Sequence, residues 1–203
     1  MTLQVHGPRA REFVDLLAQF TGLRLVLTGE AVTVSRDTLL NPFESETLLD
    51  LVFDIVRGPT VVRIAAFSTT PTGGFSGDWF FPNPGIKYPR RSVFVSDLAR
   101  AAGMSPILGR ALMGHILREY LGAARPPGQL PGAAFSHYHL PAILTEAQIA
   151  SDLTGQPIWT GTTRPWEHTY GTINVRSYGP GLKFQLVMSA AGRLTRVIQP
   201  TGI

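Results

Sequence analysis

The stretch Gly114-His115-Ile116-Leu117-Arg118-Glu119-Tyr120 lies in the longest helical pattern of the chain, which runs from Ile107 to Ala124. His115 and Glu119 are four residues apart, so both project from one face of the predicted helix. An imidazole and a carboxylate on one face can bind a single metal ion. The same spacing also suits a histidine that forms a hydrogen bond with a carboxylate and binds no ion.

Further potential ligands follow this helix. The segment Phe135-Ser136-His137-Tyr138-His139 precedes a second predicted helix, Leu140–Leu153, in which Glu146 lies seven residues after His139. Two helical turns separate His139 from Glu146, so a helix that starts at His139 carries both on one face. A helical hairpin would direct this face at the first helix. Three protein ligands of nitrogen and oxygen type plus a water form a common catalytic zinc site, in which the water becomes a nucleophile near neutral pH.

The remaining sequence predicts an α+β fold. Apolar residues recur at helical or strand spacing in the first third of the chain, which indicates the order helix, hairpin, helix, strand. These predicted elements are Arg9–Phe20, Leu23–Thr28, Ala31–Ser35, Ser45–Val56 and Thr60–Phe67. The tail has β-like stretches near Thr172–Ser177, Phe184–Ser189 and Thr195–Ile198. Because no repeat or linker divides the chain, we expect a single domain over residues 1–203.

A long loop rich in glycine and proline is predicted over Ser68–Arg91, and it contains the aromatic run Trp79–Phe81. Structureless segments of this length inside a domain are often functional. The aromatic run therefore predicts either the edge of a substrate groove or a surface loop packed on the core.

Composition excludes several kinds of chemistry. The 203 residues include no cysteine, which rules out disulfides, thiolate zinc sites, iron–sulfur clusters and a cysteine nucleophile. The sequence has no phosphate-binding loop, no Gly-x-Gly-x-x-Gly fingerprint and no Gly-x-Ser-x-Gly elbow. The net charge is +4, but no basic run with interleaved aromatics occurs, so nucleic-acid binding is only weakly indicated. No apolar run approaches a membrane span and no signal peptide is visible, so we expect a soluble protein.

Several phrases along residues 9–155 follow the layout of a known family. They are Phe13-Val14-Asp15-Leu16-Leu17, Thr21-Gly22, Val93-Phe94-Val95-Ser96-Asp97-Leu98, Leu112-Met113-Gly114-His115, and His139 followed by Glu146. In this pattern the chain resembles the zincin-like metallopeptidase effector domains of toxins that bacterial secretion and contractile injection systems deliver. The resemblance ends at residue 155, and the β-like stretches of the tail predict that residues 156–203 form a β-rich C-terminal extension. The resemblance implies a protein or peptide substrate, contact with a secretion or injection machinery, and a bacterial cytoplasmic location before delivery.

The same resemblance implies a zinc site, with one departure from the family's motif. In zincins the helix reads His-Glu-x-x-His, and the glutamate after the first histidine is the general base. Here Ile116 stands in place of that glutamate, and Glu119 replaces the second histidine. The implied zinc ligands are then His115, Glu119 and His139. Isoleucine accepts no proton, so either Glu146 or His137 handles protons or the domain has lost peptidase activity.

Two further functions fit the same residues. A metal-independent nuclease-like toxin would take its acid, base and phosphate-binding groups from His115, Arg118, Glu119 and His139. A non-enzymatic module, an inactive zincin-like domain used in assembly or partner binding, would account for the missing glutamate. His168, in the segment Trp166–Tyr170, fits a surface turn or a late acid, base or ligand.

Overall fold

A computed structural model describes residues 3–35, 45–68, 92–124, 136–190 and 194–199, with only the backbone described for residues 136–138. Within these ranges the chain forms helices and strands in a mixed α+β arrangement. The helices are α1 (Ala10–Thr21), α2 (Glu46–Arg57), α3 (Val95–Met104), α4 (Pro106–Ala123) and α5 (Ser136–Thr154). The strands are β1 (Leu3–His6), β2 (Leu25–Thr28), β3 (Ala31–Val34), β4 (Val62–Phe67), β5 (Ser92–Phe94), β6 (Trp166–Tyr170), β7 (Ile173–Gly179), β8 (Leu182–Met188) and β9 (Leu194–Ile198).

The strands form two separate sheets. The first sheet has the order β2-β3-β1-β4-β5, in which β4 pairs in parallel with both β1 and β5. The second sheet is an antiparallel meander with the order β6-β7-β8-β9. Side chains from both sheets and from the helices share one hydrophobic core, in which Phe13 of α1, Leu112 of α4 and Phe184 of β8 are fully buried.

Local sequence signals account for the ends of the helices. Ser45 caps α2 by accepting a hydrogen bond from the backbone N–H of Leu48. Ser105 caps α4 in the same way, with Pro106 in the first turn. Helix α1 ends at Gly22, whose φ of 69° is a left-handed conformation that glycine adopts without strain. These caps agree with the starts and ends that the sequence predicts.

Other elements differ from the sequence expectation. Residues 166–170 form the edge strand β6 and not a surface turn. Helix α5 begins at Ser136, four residues before the predicted start, so that Pro141 lies within it. The N-terminal strand β1 and helix α3 were not predicted; α3 begins at the residue after β5 ends, with no intervening loop to mark its start.

Two findings bear on the remaining expectations. No helix in the described part of the chain combines the length and the apolar character that a membrane-spanning segment needs. The predicted loop Ser68–Arg91, including the run Trp79–Phe81, lies outside the described residues except for its first position. Its proposed place beside a substrate groove stays a prediction.

Candidate metal centre

Helices α4 and α5 bring His115, Glu119 and His139 together, and we call these three residues the triad. One potential ligand atom from each lies within 4.8 Å of the others. The side chains of His115 and Glu119 are 0% and 1% exposed, and that of His139 is 16% exposed. The two imidazole rings meet edge to face with their centroids 5.0 Å apart. The sequence expectation that these residues converge is therefore met.

Close contact between the two helices buries the triad. Gly114, immediately before His115, faces α5 so closely that an added Cβ would collide with the Cδ1 atom of Ile149. A glycine at this position leaves room for the end of the Ile149 side chain between the helices. His115 consequently lies in the interior, in reach of polar side chains on α5.

Glu119 lies between the two histidines. Its Oε2 is 3.5 Å from Nε2 of His115, and its Oε1 is 3.8 Å from Nδ1 of His139. Among the described residues, neither oxygen of this buried carboxylate has a hydrogen-bond partner. Burying a carboxylate without hydrogen bonds is costly unless a charge compensates it. The donor set therefore fits a cation held between the carboxylate and the two ring nitrogens.

Each histidine uses its other ring nitrogen to contact a supporting carboxylate. Nδ1 of His115 lies 2.5 Å from Oε2 of Glu146, and Nε2 of His139 lies 2.9 Å from Oε1 of Glu167. Metal-binding histidines usually donate their second ring N–H to a carboxylate or carbonyl in this way. The contacts turn the remaining nitrogen of each ring toward Glu119.

A single guanidinium joins the two supporting carboxylates. Nη1 of Arg176 lies 2.6 and 2.7 Å from the two oxygens of Glu146, and its Nη2 lies 2.8 Å from Glu167. Nε of Arg176 donates to Oδ1 of Asn174 at 3.1 Å. The hydroxyl of Tyr178 donates to Oε1 of Glu146. Glu146 reaches this set from α5, whereas the other side chains lie on one face of the second sheet.

Strand geometry explains how the sheet presents this set. Residues 174, 176 and 178 alternate along β7 and so share one face. Glu167 pairs directly with Arg176 across β6 and β7, which places it on the same face. The flanking His168 points outward, is exposed, and lies with its ring centroid 4.4 Å from that of Tyr170.

The charges in this cluster shift the pKa of each ionisable group. Burial opposes charge on His139, but the Glu119 and Glu167 carboxylates outweigh it and raise its pKa to about 9. His115 is also buried, yet the charge of Glu146 raises its pKa above the ordinary value. Burial likewise opposes charge on Glu146, but the charge of Arg176 lowers its pKa. The pKa of Glu167 is lowered in the same way, because Arg176 outweighs the effect of burial.

The other residues named from the sequence have different positions. Glu146 contacts Nδ1 of His115, on the opposite side of the ring from Glu119, which favours a supporting role over the expected role as proton acceptor. His137 lies in the first turn of α5, and its side chain lies outside the described part of the chain. Within that part, Arg118 forms no ion pair with the triad, and the guanidinium of the cluster belongs to Arg176.

Sequence reasoning missed Glu167, Arg176 and Tyr178. The sequence offers one signal, the polar alternation Asn174-x-Arg176-x-Tyr178, which covers Arg176 and Tyr178 but not Glu167; the structure adds that the intervening Val175 and Ser177 are also buried. A strand with both faces buried carries polar side chains only when partners satisfy them. That alternation therefore indicates a buried polar network on one face of β7.

Comparison of the chain with protein-family models, with curated proteins and with solved structures finds no significant match. The metal-binding part of the functional proposal that follows therefore rests on the chemistry of the site.

Proposed function

We propose that the chain is a zinc-dependent hydrolase whose metal ion is held by His115, Glu119 and His139. The observation that carries this proposal is the placement of Glu119. Its buried carboxylate faces a nitrogen of each histidine at 3.5 and 3.8 Å, and its oxygens have no hydrogen bond within the described residues. A divalent cation would supply the partner that this carboxylate needs.

The ligand set favours zinc in a catalytic kind of site. Two imidazoles and one carboxylate are nitrogen and oxygen donors that zinc accepts, whereas structural zinc sites are usually closed by four protein ligands, often thiolates. Among the described residues the cluster offers three. A bound zinc ion would supply Lewis acidity, which polarises a carbonyl and lowers the pKa of a water. His115 and His139, held by their supporting carboxylates, would bind the ion together with Glu119. This set of three ligands would leave a coordination position for water or substrate.

The charge balance of the cluster is compatible with a divalent ion. Glu119, Glu146 and Glu167 contribute three negative charges, and Arg176 contributes one positive charge. The remaining two negative charges match either two protonated imidazoles or one dication with both imidazoles neutral. Exchange of two protons for one zinc ion would leave the net charge of the buried cluster unchanged.

The substrate class rests on the resemblance described above. A zincin-like effector would act on a protein or peptide and would depend on a bacterial secretion or injection machinery for delivery. We retain these as parts of the proposal, together with an α+β domain in which α4 serves as the metal-binding helix.

A non-enzymatic metal-binding module is the second candidate, and two observations favour it. Ile116, at the position of the zincin general base, is an aliphatic side chain that is 1% exposed. Glu146 and Glu167 each contact both a histidine ring and Arg176, so neither is placed as a proton acceptor beside the triad. Such a module would bind zinc without turning over a substrate.

Metal content is the first test. Purified protein should contain about one zinc per chain, measured by inductively coupled plasma mass spectrometry after dialysis. His115→Ala should lose it, whereas His168→Ala, a matched change at an exposed histidine one residue from Glu167, should retain it. Absence of metal from the wild-type protein, even after incubation with zinc, would reject both metal-binding candidates.

Hydrolysis then separates the candidates. A zinc-dependent hydrolase should cleave a member of a protein and peptide panel, and both chelator and Glu119→Ala should abolish cleavage. Zinc binding without cleavage across the panel would support the binding module. Cleavage of RNA or DNA in the presence of chelator would support the nuclease-like alternative instead.

A further inference from the structure

We infer that Arg176 is the positioning residue for both histidines of the triad, and that it fixes their rings in opposite tautomers. This inference rests on the metal site of the proposed function. The ligands lie on two helices, whereas Arg176 lies on β7 of the second sheet. The inference therefore means that β7 controls the zinc affinity of the site.

The contacts of Arg176 link both branches of the cluster. One branch runs from Nη1 through Glu146 to Nδ1 of His115, over 2.6–2.7 and 2.5 Å. The other runs from Nη2 through Glu167 to Nε2 of His139, over 2.8 and 2.9 Å. The planar guanidinium contacts both carboxylates and so links their positions.

Neighbouring groups hold the guanidinium itself in place. Its Nε donates to Oδ1 of Asn174, and the amide nitrogen of Asn174 donates to Oγ1 of Thr169 at 2.9 Å. Arg176 is 4% exposed, so water does not compete for these contacts. A lysine has a single ammonium and no fork of donors, so it cannot reproduce the bridge.

The tautomers follow from the chemistry of the contacts. An ionised carboxylate only accepts hydrogen bonds, so the ring nitrogen that faces it carries the proton. In the zinc-bound protein His115 would therefore carry its proton on Nδ1 and present Nε2 to the ion. His139 would carry its proton on Nε2 and present Nδ1. One defined tautomer on each ring, opposite between the two histidines, is expected only if the supporting carboxylates hold both rings in place.

Zinc affinity of Arg176→Lys tests the inference. Competition with a chromophoric chelator should show affinity about 10–100-fold weaker than wild type, the usual effect of losing an outer-shell partner. Arg196→Lys, the same change at an exposed arginine of β9, should stay within about twofold of wild type. Circular dichroism and thermal unfolding of the metal-free proteins would show whether each variant is folded.

Long-range 1H–15N spectra of the zinc-loaded proteins read the tautomers directly. Wild type should show one histidine protonated on Nδ1 and another on Nε2, assigned to His115 and His139 through correlations between each ring and its own backbone. In Arg176→Lys at least one ring should lose its single tautomer. A purely structural arginine would change stability and leave this pattern intact.

Glu167→Gln provides an independent variant should Arg176→Lys not fold. The amide oxygen still accepts from His139 but no longer attracts Arg176, so affinity should fall while the tautomer of His115 persists. In a Glu167→Gln background, Arg176→Lys should have a smaller effect, because one branch is already broken. Unchanged zinc affinity and tautomers in both single variants would overturn the inference and leave the hydrolase proposal intact. Failure of the wild-type protein to bind zinc would overturn both.

Discussion

Replacing Gly109 with alanine should destabilise the protein, because α4 packs directly against the backbone of α3 at this position. A Cβ on Gly109 would lie 2.6 Å from the Cα of Ala102 and 3.1 Å from its backbone nitrogen, and it would also collide with the Ala102 Cβ. Backbone atoms cannot rotate away as the end of a side chain can. The whole of α3 would have to move relative to α4, and α4 carries two residues of the triad.

The expected magnitude combines two opposing effects. Forcing an extra methyl group into a packed interior costs about 1–3 kcal/mol. Alanine favours a helix interior over glycine by about 1 kcal/mol. For Gly109→Ala the steric effect should dominate, which leaves a net loss of up to about 2 kcal/mol in the free energy of unfolding.

Two other glycines provide matched comparisons. At Gly114 the colliding atom is Cδ1 of Ile149, the end of a flexible side chain, and the next nearest atoms are at 3.5 and 3.7 Å. Turning that side chain costs about 0.5–1.5 kcal/mol, so Gly114→Ala should stay close to wild type. At Gly103 no atom lies within 4 Å of an added Cβ, so Gly103→Ala should stabilise the protein by up to about 1 kcal/mol.

Urea unfolding of the three variants beside wild type gives the comparison. The midpoints should rank Gly103→Ala highest, Gly114→Ala near wild type and Gly109→Ala lowest, with unchanged slopes. The tight packing of α4 against both α3 and α5 would be refuted by either of two results. One is a midpoint for Gly109→Ala as high as that of Gly103→Ala, and the other is a midpoint for Gly109→Ala above that of Gly114→Ala.

Three further predictions concern the metal and pH. Zinc at about 100 times its dissociation constant should raise the Tm by about 5–10 °C, and scanning fluorimetry should show no such shift in His115→Ala. Zinc affinity should rise with pH up to about pH 9, the raised pKa of His139, because zinc must displace protons from the ligands. The rise should be about tenfold per pH unit for each proton displaced. Chelator competition between about pH 5.5 and 7.5 would measure this rise, and an affinity that does not change with pH would contradict the prediction. Asp152 accepts hydrogen bonds from Ser45 and Thr47. Burial opposes the charge of Asp152, but hydrogen bonds from Gln148, which has the largest effect, and from Thr47 and Ser45 lower its pKa. Asp152→Ala should therefore cost about 1 kcal/mol near neutral pH, and this difference should shrink as pH falls below the ordinary aspartate pKa of 3.8 and through the lowered one; urea unfolding at several pH values checks it.

The elements that the sequence predicts well are those whose signals are local. Ser45 and Ser105 are good N-caps in any context, and Gly22 is a good helix end. The convergence of His115, Glu119 and His139 is also nearly local, because it needs only two helices joined in a hairpin. The convergence can be predicted from two facts: His115 and Glu119 are four residues apart on one helix, and His139 lies at the start of the next helix.

The supporting half of the cluster depends on long-range pairing. Glu167 reaches His139, and Arg176 reaches Glu146 from 30 residues away, only because β6 and β7 form a sheet that packs on α5. Strand β6 is exposed at four of its five residues, so apolar alternation does not reveal it. Its inward residue is a glutamate because it supports a polar site, and hydrophobic periodicity cannot detect a strand of this kind.

The energetic cost of burying this cluster supports the proposed metal site over a purely structural role. Buried ion networks lose much of their Coulomb energy to desolvation, and apolar residues of similar volume often serve stability equally well. Here the carboxylate of Glu119 faces the two histidines at 3.5 and 3.8 Å, too far for a strong hydrogen bond to offset its burial. Helices α4 and α5 supply the three candidate ligands, whereas the tail sheet supplies Arg176 and Glu167, which hold them. Glu146 lies in the part of the chain that resembles zincins, residues 9–155, whereas Arg176 lies in the C-terminal extension, residues 156–203. The proposed metal site with its supporting residues therefore requires both parts of the chain.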